Sequence, residues 1–125
     1  MLSPSSNQRI FLAIEPVDMR GGFDRLAGRV RAAGLDLYAG HLFVFLSRRR
    51  SHLKVLTWDG SGIVVLYKRL GRGQFARVTA SDGARTVTLD PLAFAELLRG
   101  ATTLSVARSL PKNADPAPLD DGTTL

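Results

Sequence analysis

Apolar positions along this chain recur with a period near two in some stretches and near 3.6 in others, and each change of period predicts a new element. Residues 9–14, "RIFLAI", are apolar and β-branched enough for a short strand, broken by Pro16. Asp18 then stands where a helix needs a cap, and Met19, Phe23, Leu26, Ala27 and Val30 follow at helical spacing. Arg20, Arg25, Arg29 and Arg31 fall mostly off that stripe, and Gly34 ends it. The pair Gly21-Gly22 in the expected first turn costs roughly 1 kcal/mol each against alanine, which points to a close backbone approach or a frayed start.

Residues 42–47, 52–58 and 63–70 read as three strands. Asp59-Gly60 supplies the positive φ of a tight hairpin turn, and the join "RRRS" is equally short. In the third strand Ile63, Val65 and Tyr67 point one way and Val64 and Leu66 the other, so its first half is apolar on both faces and it is expected inside the sheet. A shorter strand is expected at 74–79, an "SDG" turn at 81–83 and another strand at 85–89. Asp90-Pro91 opens a final amphipathic helix that stops at Gly100, with Asp90 as cap and Pro91 where its missing N–H costs nothing. The segment "ATTLSVARSL" fits neither period, and no internal repeat is visible. The pattern predicts an α+β fold: an antiparallel sheet of about five strands flanked by an N-terminal and a C-terminal helix. It places one domain over 1–105 and a disordered tail, rich in proline and aspartate, over 106–125.

Composition changes this picture little. At 125 residues, 45% hydrophobic and 22% charged, the chain has the size and make-up of one globular domain. The absence of cysteine removes disulfides, thiol nucleophiles and thiolate ligands. No apolar run is long enough to span a bilayer and the N-terminus lacks a secretion pattern, so the expected location is the cytoplasm, without a membrane partner.

Charge changes it more. The net charge is +6 and the pI about 10.8. Between His41 and Arg85 nine basic residues face two acidic ones, Asp59 and Asp82. Strands running up, down and up bring the first join and the end of the third strand to one side of the sheet. That gathers Arg48, Arg49 and Arg50 with Lys68, Arg69 and Arg72, leaving the Asp59 turn at the far side. Lys54, within the second strand, and Arg20, beside Asp18, join them as candidate nucleic-acid-binding residues. Guanidinium groups bind phosphate bidentately and release condensed counterions, so DNA held mainly by its backbone is the favoured partner. An acidic protein surface is the alternative.

Enzyme chemistry is not expected. His41 and His52 lack a carboxylate or second imidazole at ligand spacing, and Asp59, Asp82 and Glu96 do not form a convincing triad, the two aspartates preceding turn glycines. "GRG" at 71–73 is not a phosphate loop. No metal or other cofactor is called for. Trp58 reads as a hairpin anchor rather than a base-stacking platform.

Three stretches carry a resemblance: "DMRGGFDRLAGRV" (18–30), "GHLFVFLSRRRSHLKVLTWDGSGIVVLYKRLGRGQF" (40–75) and "VTLDPLAFAELLRG" (87–100). Together they resemble the TnpB accessory protein of the insertion-sequence sixty-six family of bacterial transposable elements. Asp18, Met19 and Arg20 match its helix start, and Lys54 to Leu56 with Trp58, Asp59, Gly60 and Gly62 match its hairpin. Lys68, Arg69, Leu70, Gly73 and Phe75 match its strand end. The sequence departs from the pattern after Phe75 and after the last helix. The resemblance implies a non-catalytic assistant to transposition, encoded beside a larger transposase with an acidic triad. The expected partners are the DNA read from the basic clusters and, as the resemblance implies, the transposase and other element-encoded proteins; docking on the transposase without direct DNA contact is the alternative.

Overall fold

The computed structural model describes residues 4–5, 7–80, 82–105 and 107–109. Strands β1 (Ile10–Ala13), β2 (Leu42–Leu46), β3 (His52–Trp58), β4 (Ile63–Arg69), β5 (Thr86–Leu89) and β6 (Ala107–Ser109) form one sheet in the order β4-β3-β2-β1-β5-β6. Two helices accompany it, α1 (Phe23–Ala32) and α2 (Pro91–Leu98), with a 3-10 turn at Leu37–Ala39.

The α+β class is as expected, but the sheet is mixed rather than purely antiparallel. β1 and β2 pair in parallel, Ile10 opposite Leu42, while every other pairing is antiparallel. The reason is topological: α1 lies between β1 and β2, and a connection through a helix crosses over where a hairpin would reverse. The sheet also has six strands, because Ala107–Ser109, within the stretch that fitted neither period, pairs with β5. The rest of the expected tail, 106 and 110–125, lies outside the described residues.

Strand alternation divides the interior in two. Ile10, Leu12, Leu42, Val44, Leu53, Val55, Val87 and Leu89 join Ala93, Phe94, Leu97 and Leu98 of α2 in one cluster. Phe11, Phe43, Phe45 and Leu56 join Leu26, Ala27 and Val30 of α1 in the other. β2 is buried along its whole length because both clusters claim its side chains.

Three further expectations are corrected. β4 is an edge strand, with Val64 and Val65 38% and 43% exposed, because the β2-β3-β4 meander runs outward and, among the described residues, no later strand returns beyond it. No strand forms over 74–79: the Phe75 amide donates to Arg50 O in the β2–β3 turn, and the segment joins no ladder of the sheet. Asp18 does not cap α1, which starts at Phe23 with Gly22 at the cap position and no side-chain cap bond. Instead the Asp18 carboxylate folds a turn of its own, accepting from the Arg20 amide at 2.9 Å. The other cap is as expected, Asp90 Oδ1 accepting from the Ala93 amide with Pro91 in the first turn.

Candidate nucleic-acid interface

The β2–β3 turn is held by a serine. Ser47 Oγ accepts from the amides of Ser51 and His52, and Ser47 O accepts from the Arg50 amide. Closing the turn requires Arg50 at φ 56, the left-handed region, at a cost of about 1–2 kcal/mol for a residue other than glycine. A clamp to the segment after β4 offsets it. Arg50 O accepts from the Phe75 amide at 2.6 Å, Arg50 Nε donates to Phe75 O at 3.0 Å, and Gln74 Nε2 donates to Arg49 O at 2.7 Å. His52 stands opposite Arg69 in the β3–β4 ladder, and Leu70 N donates to Ser51 O. The two basic clusters therefore sit at one end of the sheet, joined by backbone.

The cations there fall into two classes. Arg50 is half-buried, with its guanidinium on Phe75 O and Gln74 Oε1. Lys54 turns to the α1 side and donates Nζ to Met19 O at 3.0 Å and Gly21 O at 3.4 Å, beneath the Tyr67 ring at 5.3 Å. Lys68 points to the α2 side and donates Nζ to Leu98 O, one of the carbonyls a helix C-terminus leaves unpaired. Arg48, Arg49, Arg69 and Arg72 are exposed, and no ion pair reaches them among the described residues.

An open groove of about 580 Å³ runs between the 16–20 loop and the β2–β3 turn. Arg20, Arg48 and Arg49 line it together with Asp18, Ser47, Ser51, His52 and Tyr67. Arg69 shares the His52 face of the sheet through its ladder partner. His52 lies parallel to Tyr67 with ring centroids 5.7 Å apart, and Ser51 Oγ fixes its Nδ1 at 2.7 Å. Arg20 forms a bidentate pair with Asp18 through Nε at 3.0 Å and Nη2 at 2.8 Å. That hydrogen-bonded guanidinium, helped by the Arg20 amide, holds the Asp18 carboxyl well below the usual carboxylate range, and Asp18 in turn raises Arg20. Chemically, the groove offers positive charge, hydroxyl donors and one aromatic edge to an anion.

Sequence reasoning missed Tyr67 as a surface group, and it is 53% exposed. It missed Ser47, Ser51 and Asp18 as groove walls too. Only their nearness in sequence to the arginines signalled them.

The far end of the hairpin is built differently. Asp59 Oδ1 accepts from the amides of Ser61 and Gly62 and from Ser61 Oγ, and these bonds lower its pKa, the Ser61 amide most. Trp58 meets Tyr38 edge to face at 5.1 Å. His41 is buried, with Nδ1 accepting from the Arg9 amide at 3.0 Å and Nε2 without a partner among the described residues. Burial, and secondly the Arg9 charge, lower its pKa to about 4, against a smaller opposing pull from Asp36.

Comparison with known proteins supplies independent information. A family model described as IS66 Orf2 like protein matches residues 8–108. Two proteins of Sinorhizobium fredii (strain NBRC 101917 / NGR234) are similar over most of their length. The uncharacterized protein y4jC is 38% identical over 109 residues, 86% of this chain and 92% of its own. The uncharacterized protein y4hO is 41% identical over 101 residues, 80% of this chain and 86% of its own. No solved structure matches.

Proposed function

The chain belongs to the IS66 Orf2-like family, whose role is accessory to insertion-sequence transposition, and we propose that it serves there by holding the DNA backbone through the basic end of its sheet. Exposed Arg48, Arg49, Arg69 and Arg72, free of ion pairs among the described residues, carry this reading. Four unpaired guanidinium groups at one end of a small domain repel one another, and phosphate relieves that repulsion while releasing counterions. Arg20 extends the surface across the groove, its charge partly answered by Asp18. Arg50, Lys54 and Lys68 act as scaffold, since their donors are spent on carbonyls of the chain. The role is non-catalytic, and the protein's element-encoded partners include the transposase.

Duplex binding followed against salt tests this. The parent's affinity should fall steeply as salt rises, for any sequence. Joint replacement of Arg48, Arg49 and Arg69 by alanine should flatten the log–log slope by about 3 and cost ten-fold or more in affinity at low salt. A triple variant that binds as the parent does rejects the surface. In that event, capture of the transposase that survives nuclease treatment supports docking on that protein without DNA contact.

A further inference from the structure

We infer that a second copy of this chain pairs antiparallel along β4, with Leu66 opposite its own counterpart, to make one continuous sheet across two molecules. The inference is independent of DNA binding.

It starts from which backbone groups of β4 are spent. Asp59 N donates to Gly62 O and Leu70 N donates to Ser51 O, so even-numbered residues from 62 to 70 turn their backbone groups toward β3. Ile63, Val65, Tyr67 and Arg69 therefore turn theirs outward, along an edge seven residues long. Edges of this kind are ordinarily blunted by proline, a bulge or a guarding lysine. β4 has no proline, pairs with β3 one to one throughout, and sends its lysine inward to Leu98 O. It also exposes Val64, Val65 and Tyr67.

The edge is complementary to itself. With Leu66 on a two-fold axis all seven residues are paired, and the outward groups of Ile63 and Val65 meet those of Arg69 and Tyr67 of the other copy in about eight hydrogen bonds. Val65 faces Tyr67 across the axis on both sides, which joins the exposed apolar groups into one patch. No cation opposes a cation, because Lys68 faces Val64 and Arg69 faces Ile63. Continuing the register brings the Asp59 turn of each molecule beside the loop that carries Arg72 in the other. Asp59 is the single acidic residue between His41 and Arg77, and it meets the basic cluster of its twin. This match of charge and apolar positions selects a second copy over an unrelated strand.

Sedimentation equilibrium of the parent should give twice the 13.5 kDa chain mass. Val65→Pro removes an outward N–H that the monomer does not use, so the mass should halve with the circular dichroism unchanged. Val65→Lys should do the same by charge, and decides the matter if the proline variant fails to fold. Because the chain has no cysteine, Leu66→Cys should give a disulfide-linked dimer on mild oxidation, whereas Ser61→Cys, far from the axis, should not. A parent that sediments as a monomer overturns the inference. So does a folded Val65→Lys variant that remains dimeric.

Discussion

At the Asp59 end of the β3–β4 hairpin, polar groups are answered within a few residues: one carboxylate oxygen takes two amides and a hydroxyl. At the other end Arg50, Lys54 and Lys68 reach carbonyls 25 to 35 residues away, while Arg48, Arg49, Arg69 and Arg72 stand exposed. One end is finished locally. The other uses some of its charge to tie distant segments together and presents the remainder to solvent. A count of basic residues therefore overstates the charge available to a partner, and hydrogen-bond accounting reduces it to the residues the fold leaves unspent.

The largest effect should come from the far end, at His41. Its folded pKa of about 4 lies below the ordinary 6.5, so the unfolded chain takes up a proton first as pH falls. The stabilisation is complete above about pH 6.5 and is lost as pH falls through that value toward 4, by about 3 kcal/mol in all and about 2 kcal/mol by pH 5. Urea denaturation at pH 7 and pH 5 measures it. His41→Asn, which keeps an acceptor for the Arg9 amide but cannot titrate, should remove most of the difference between the two.

Arg50 comes next and separates scaffold from surface. Replacing it with alanine removes a charge-assisted bond to Phe75 O and keeps the strained φ of 56, for a loss of about 2 kcal/mol. Arg50→Gly should recover about 1 kcal/mol of that, because glycine adopts the conformation freely. If alanine and glycine are equally destabilising, the backbone strain is not the cost assigned to it.

What could be read in advance follows the same division. The Asp59-Gly60 hairpin, the short arginine turn and the Asp90-Pro91 helix start rest on chemistry within four residues, and all three appear in the structure. The gathering of Arg48 to Arg50 with Lys68 and Arg69 follows from those turns. The fate of Arg50, Lys54 and Lys68 was not legible, because the carbonyls of Phe75, Met19, Gly21 and Leu98 come near them only through tertiary packing. Val64 and Val65 were misread for a related reason. An apolar side chain indicates that a face tolerates burial, not that another element arrives to cover it. The parallel pairing of β1 and β2 depends on where a helix deposits the chain, which local periodicity does not encode.

The smallest predicted effect is the sharpest test of that accounting. Lys68 and Arg48 carry the same charge at the same end of the sheet, but the Lys68 ammonium lies on Leu98 O, at the negative end of α2, while Arg48 is exposed beside the groove. Lys68→Met keeps the apolar stem and removes only the ammonium, so it should lower stability by about 0.5–1 kcal/mol. It should leave DNA affinity at low salt within about two-fold, since long-range charge is its only link to the ligand. Arg48→Met should do the reverse, leaving stability within about 0.5 kcal/mol and weakening binding several-fold. Urea melts and a salt titration of duplex binding on the two variants measure both. If the variants weaken binding equally, the free and the spent cations act as one field, and hydrogen-bond accounting does not select the residues of the proposed DNA surface.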